Sequence, residues 1–177
     1  MQIRLLNRWA RALSWACPSE MQEDQQGAGR SDTQTRLVLH ATTVALHGQA
    51  VLIRGESGRG KSSLALQLMA LGAGLVADDR TCVWRDDCGA DGDIVMADAP
   101  DTLRGRIEAR GIGILEADAA GPCRIGLVVD LDQLEEARLP PYRTIDLLGL
   151  CLPLVHRVDS PAFPAGILQY LAAGRVA

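Results

Sequence analysis

Apolar residues fall along this chain in two rhythms, and each change of rhythm marks an element. From Leu37 to Leu46 the residues are mostly apolar or β-branched, Thr42, Thr43 and Val44 among them, which predicts a strand. His47-Gly48 reads as a tight turn, and Ala50 to Arg54 as a second apolar strand closing a hairpin. The spacing then becomes helical. Over Ser62 to Leu71, Leu64, Leu68 and Leu71 share one face with Ala65 and Met69 beside it, and Gly72 supplies a stop. Leu75–Ala77 and Thr81–Trp84 return to short strands, on either side of an acidic corner. Asp91-Gly92 predicts a turn before Ile94–Met96, and Ile125–Val129 is a further strand. Beyond the Pro140-Pro141 break, Ile145–Leu148 and Cys151–Val155 read as extended, and Ala165–Ala173 as a terminal helix.

The N-terminal residues carry the helical rhythm with basic residues interleaved and no acid. Arg4, Arg8 and Arg11 alternate with Leu5, Trp9, Leu13 and Ala16 at helical spacing, predicting a short basic amphipathic helix over residues 3–16. Docking to a partner, or peripheral contact with a membrane, is the functional reading of such a helix. Pro18 to Arg36 is Ser, Glu, Gln, Asp and Gly with almost nothing to bury, so it reads as a disordered linker. The expected organisation is therefore helix plus linker over 1–35 and one globular domain over 36–177.

Composition narrows the function. A net charge of −4, with only 3 Trp, 2 Tyr and 1 Phe, provides neither the basic footprint nor the stacking platforms of a nucleic-acid binder. The 5 cysteines are scattered without a C-x-x-C pair. They suggest reduced thiols and a cytoplasmic protein rather than a disulfide framework or zinc site. No apolar run reaches the length of an ordinary transmembrane helix.

The strongest chemical signal lies between the second strand and the first helix. Gly55-Glu56-Ser57-Gly58-Arg59-Gly60-Lys61-Ser62 fits the P-loop pattern G-x-x-x-x-G-K-[ST] without a mismatch. Its glycines let successive N–H groups curl toward one anion, and the following helix turns its positive end to the phosphates. Lys61 adds a mobile charge, and Ser62 a hard oxygen suited to Mg²⁺. The alternative is a glycine-rich turn with an exposed lysine.

A P-loop implies triphosphate binding but leaves the reaction open. Guanine-reading GTPases use an Asn-Lys-x-Asp segment, whereas the only asparagine here is Asn7. Two acidic sites compete for the catalytic role. Asp78-Asp79 ends the strand Leu75–Ala77, where one carboxylate can face a phosphate and take the proton of an attacking hydroxyl while the other packs. Asp130 ends the apolar Leu127-Val128-Val129, as the magnesium-side acid of a plain P-loop ATPase would. By itself His40 reads as a structural strand histidine, and Gly111 and Gly113 as the means to a tight bend.

Taken in order, His40-Ala41-Thr42, the P-loop octet, Leu75-Val76-Ala77-Asp78-Asp79 and Ile107-Glu108-Ala109-Arg110-Gly111-Ile112-Gly113-Ile114 resemble the HPr kinase/phosphorylase family over roughly residues 36–160. The resemblance implies an α/β fold with a mixed sheet around the P-loop, and a nucleotide site like that of phosphoenolpyruvate carboxykinase. It implies a serine kinase using ATP and Mg²⁺ on the phosphocarrier HPr or its nitrogen-related paralogue, and a homo-oligomer, of which the hexamer is one form. It makes His40 an active-site histidine, Lys61 the P-loop lysine and Asp79 the base. Ser62 and Glu108 become magnesium ligands, and Arg110 a phosphate-side cation. The chain departs from the family pattern at Ser63, where an acidic residue is common. It departs again in His156–Pro161, which lacks the Gly-Arg-Asn-type segment tied to the reverse, phosphorolytic reaction.

Overall fold

The segment read as one strand is two. β1 (Arg36–Leu39) and β2 (Ala41–Leu46) are separated by a bend at His40. The cause is tertiary. β1 pairs antiparallel with β5 (Thr81–Asp87), whereas β2 lies between β3 (Gln49–Arg54) and β4 (Gly74–Ala77). Different ladders claim the two halves, and the kink falls on the one residue between them. The predicted turn is present: His47 and Gly48 both have positive φ, 51° and 78°, the geometry of a two-residue hairpin loop. Leu148-Gly149 repeats it with φ of 58° and 77° between β10 (Arg143–Leu147) and β11 (Leu150–Arg157).

The computed structural model describes residues 35–87 and 92–176, all within the unit Thr33–Ala177. The basic helix expected over 3–16 and nearly all of the expected linker lie outside them. So do Cys88 and the Asp91 half of the predicted Asp91-Gly92 turn.

One mixed sheet dominates, in the order β1-β5-β6-β9-β3-β2-β4, with β6 at Asp93–Asp98 and β9 at Cys123–Leu134. β11 also joins β9, and β10 extends the sheet from β11. β3, β9 and β11 run parallel, so their C-terminal ends open on one edge, the usual place for a ligand in an open α/β sheet. β9 exceeds the predicted Ile125–Val129 because it has partners beyond both ends of that segment. Its start pairs with β6 and its later part with β11.

Side chains of β3 alternate between two cores. Val51 and Ile53 face α1 (Lys61–Ala70) and α2 (Phe163–Ala173), together with Leu127 and Val129 of β9. Leu52 joins Ile125 and Val128 on the other face. Ile125 and Leu127 fall on opposite faces despite their spacing because the register shifts at Gly126. α1 buries Lys61, Leu64, Ala65 and Leu68, a single stripe. It stops at Gly72 (φ 104°), where the Ala73 and Gly72 amides donate to the Leu68 and Met69 carbonyls. Helix α2 begins at Phe163, earlier than predicted, with Pro164 in its first turn, where a missing N–H costs nothing.

The thiols do not all fit the expectation. Cys82 and Cys123 are free, but Cys151 is disulfide-bonded.

Candidate active site

The octet Gly55–Ser62 leaves the parallel end of β3 and enters α1 directly. Gly55, at φ 147°, brings the backbone so close to β9 that a Cβ there would lie 3.2 Å from Leu131 Cβ and 3.4 Å from Asp132 Oδ1. Gly58 and Gly60 also have positive φ. Lys61 is only 7% exposed. Its Nζ donates to the carbonyls of Gly55 at 2.8 Å and Glu56 at 3.1 Å. A third contact, at 2.9 Å, reaches His40 Nε2.

The bend at His40 gives that histidine its place. Nδ1 lies 3.2 Å from the Asp79 carbonyl and 3.1 Å from Asp79 Oδ1. Both partners of Nδ1 are acceptors, so it carries the proton and Nε2 is left to accept from the Lys61 ammonium, an assignment made from the network. A continuous path thus runs from the octet's lysine through imidazole to the Asp79 carboxylate.

The two acids of the corner divide sharply. Asp78 is 7% exposed. Its Oδ1 accepts from the Thr42 and Ser62 hydroxyls, each at 2.8 Å, and its Oδ2 accepts from the Glu108 amide at 2.9 Å. Behind it, Thr81 Oγ1 donates to the Ala41 carbonyl and meets Thr43 Oγ1 at 2.9 Å, so the polar layer under the site is closed. Asp79 stands at positive φ (63°) with its side chain 65% exposed. One carboxylate is a structural anchor within the site, and the other meets solvent.

The residues singled out in the sequence are mostly brought together. His40, Lys61, Ser62, Asp78, Asp79 and the backbone of Glu108 form one connected group. Arg110 does not join it. It sits in the turn between β7 (Arg106–Ala109) and β8 (Gly113–Glu116), exposed and without an ion-pair partner among the described residues. Asp130 does not reach the octet either. Its Oδ1 accepts from the Asp132 amide at 2.9 Å and its Oδ2 lies 3.4 Å from Arg54 Nε.

Asp132 was missed. Its carboxylate accepts the Glu56 amide at 3.0 and 3.2 Å and pairs with Arg59 Nε at 3.0 Å, holding the start of the loop against β9. The available signal was strand alternation, which places Asp132 on the same face as Asp130 but one step nearer the sheet edge.

Among the described residues, no three His, Cys, Asp or Glu side chains form a ready metal cluster. The donor set still suits Mg²⁺, which takes few protein ligands and completes its shell with water and phosphate oxygens. Ser62 Oγ and Asp78 Oδ1 are two such hard oxygens, 2.8 Å apart beside the helix terminus. A cleft of about 430 Å³ flanks the group, lined by His40, Gly55 and Glu56 together with Leu52, Val128 and Ile145.

A family model described as the HPr Serine kinase C-terminal domain matches residues 31–139. The chain is similar to the HPr kinase/phosphorylase of Caldicellulosiruptor bescii, 35% identical over 150 residues, covering 78% of this chain and 47% of that protein. Against the HPr kinase/phosphorylase of Cupriavidus necator it is 35% identical over 131 residues, covering 68% and 39%. The chain thus spans less than half the length of these relatives. A solved structure described as the Hpr(Ser) kinase/phosphatase from Coxiella burnetii superposes with a TM-score of 0.63 at 25% identity, covering 77% of this chain and 94% of that one.

Proposed function

Because the chain belongs to the HPr serine kinase C-terminal domain family, we propose that it transfers the γ-phosphoryl group of ATP, with Mg²⁺, to a serine of an HPr-like phosphocarrier protein. The observation that carries this reading is the path Lys61–His40–Asp79, with contacts of 2.9 and 3.1 Å. It joins a phosphate-side cation to an exposed carboxylate, the only acid of the corner free to meet an incoming hydroxyl.

Each residue then has a physical task. The octet's amides and the N-terminus of α1 hold the phosphates. Lys61 exchanges its carbonyl partners for phosphate oxygens. Ser62 and Glu108, with Asp78 bonded to the Ser62 hydroxyl, would hold Mg²⁺, which would neutralise charge on the phosphates. Asp79 takes the serine proton as the Oγ–P bond forms and the bond to the leaving diphosphate breaks. His40, hydrogen-bonded to Asp79, fixes the orientation of that carboxylate. Positioned bases of this kind contribute about 10²–10⁴ in rate. Arg110 comes to the reacting phosphate only when the acceptor docks. Assembly into a homo-oligomer belongs to the same proposal, whereas the reverse, phosphorolytic reaction is set against the missing Gly-Arg-Asn-type segment at His156–Pro161.

The test is transfer of label from γ-labelled ATP to HPr-like carriers with wild type and Asp79→Ala. Mg²⁺-dependent labelling that Asp79→Ala abolishes is the expected result. Nucleotide binding without any labelled carrier, and with Asp79→Ala indistinguishable from wild type, would sink it. No helix of the described residues is long and apolar enough to cross a membrane.

A further inference from the structure

Lys61 and Asp132 meet across a single peptide unit. Lys61 Nζ donates to the Gly55 carbonyl at 2.8 Å. That carbonyl shares its peptide bond with the Glu56 amide, which donates to Asp132 Oδ1 at 3.0 Å and Oδ2 at 3.2 Å. No peptide bond among the described residues is cis, so the C=O and N–H of this unit point in opposite directions. The Gly55–Glu56 plane is therefore held between an ammonium on one side and a carboxylate on the other. Both hydrogen bonds are charge-assisted, and each polarises the peptide in favour of the other.

The carboxylate end of this chain of contacts is fixed. Asp132 lies toward the end of β9, its own amide donates to Asp130 Oδ1 at 2.9 Å, and its Oδ1 also meets Arg59 Nε at 3.0 Å. Gly55 completes the fit. At φ 147°, and with a would-be Cβ only 3.2 Å from Leu131 Cβ, it lets the plane approach β9 as no larger residue could. Lys61 is the adaptable end, a flexible stem with rotating donors whose place is set by the acceptors it finds. The Gly55 carbonyl is the shortest of its three contacts, ahead of His40 Nε2 and the Glu56 carbonyl.

Resting on the donor role argued above, we propose that Asp132 is a positioning residue for Lys61. By fixing the Gly55–Glu56 plane it holds the ammonium at the octet before any phosphate arrives. Phosphate oxygens then replace the carbonyls as partners of Lys61. Asp132 thus contributes to readiness for the nucleotide, and the transfer step itself no longer depends on it.

Lys61 is the only lysine of the chain, so its acylation by acetic anhydride, read by mass spectrometry of the octet peptide, reports its freedom directly. In the full chain without nucleotide, Asp132→Ala should be acylated about threefold or more faster than wild type, the scale of one lost hydrogen bond. Asp132→Asn keeps an acceptor for the Glu56 amide but not the charge facing Arg59, and should stay within about twofold of wild type. An unchanged rate in Asp132→Ala, or an Asn variant as reactive as the Ala variant, would overturn the proposal. In the carrier assay Asp132→Ala should raise KM for Mg-ATP about three- to tenfold with kcat within about twofold of wild type. A loss in kcat with KM unchanged would also overturn it. Should Asp132→Ala fail to fold, Asp132→Glu decides: it keeps the charge for Arg59 but carries its oxygens one methylene away from their place at the Glu56 amide. Lys61 should then react faster than in Asp132→Asn, and equal rates would count against the proposal. Mg-ATP should protect wild-type Lys61 from acylation. Absence of protection would sink the donor reading, whereas the order of rates without nucleotide tests Asp132 alone.

Discussion

The octet and the β7–β8 hairpin, the two regions that the proposal joins in one site, are built on opposite principles. Around the octet nearly every polar group is already committed. Lys61 has three partners, Asp78 has three donors, and Asp132 pins the Glu56 amide near the start of the loop. The hairpin is anchored to this group only at its root, through the Glu108 amide. Toward its tip Arg110 has no ion-pair partner among the described residues, and Ile112 and Ile114 are 78% and 74% exposed. A phosphate chain is alike in every donor, so the fold can prepare its seat in advance and avoid reorganisation during reaction. An acceptor protein brings its own surface. On the proposed reading, groups that receive such a partner stay unsatisfied until it arrives.

The largest expected effect tests that contrast at the exposed acid of the octet side. Asp79→Asn should lower phosphoryl transfer to the carrier by about 10²–10⁴ while nucleotide affinity, read by calorimetry, stays near wild type. Equal losses in both would make Asp79 part of the preformed seat instead. Next comes Asp78→Ala, which strands the Thr42 and Ser62 hydroxyls and the Glu108 amide. At about 1–3 kcal/mol for each buried donor left unpaired, partly relieved by water, unfolding free energy should fall by ~3 kcal/mol in urea titration. A stability near wild type would show that this layer is not holding the site together.

Arg110→Ala should behave in the opposite way. Its unfolding free energy should stay within about 0.5 kcal/mol of wild type, as for ordinary surface changes, while transfer to the carrier falls about tenfold, the scale of one weakened charge contact. A matching loss of stability would place Arg110 with the committed groups. The smallest effect concerns a thiol away from both halves. Burial first, and then the nearby Asp98 charge, push the Cys123 thiol up. It should therefore be alkylated more slowly than the partly exposed Cys82 at about pH 8, because the thiolate is the reactive form. Mass spectrometry of the labelled peptides reads the order directly.

Much of this arrangement was legible in the order of residues. The hairpin at His47-Gly48, the helix after the octet with its Gly72 stop, and the strand before Asp78 all follow from local rules of turn chemistry and periodicity. What escaped was set by partners far away in the chain. Nothing between Leu37 and Leu46 announces a break, since the residues on both sides favour strands. Asp130 looked like the acid of a plain ATPase because it ends an apolar run. The strand continues to Leu134, where β11 pairs with it again, and Asp132 is the acid that touches the loop. Arg110 could be named from resemblance, but not its isolation.

By itself, then, the sequence determined that a strand, a glycine-rich loop and a helix would follow one another, because backbone conformation at Gly55, Gly58 and Gly60 and the apolar stripe of α1 are local properties. Only the tertiary structure decided which polar groups surround that loop. Splitting β1 from β2 bends His40 toward Lys61. The turn after β4 puts Asp79 in solvent and leaves Asp78 beneath, and the edge of β9 brings Asp132 to the loop. The physical reason is the same in each case: a charged side chain's role depends on what desolvates and hydrogen-bonds it, and those neighbours lie tens of residues away along the chain.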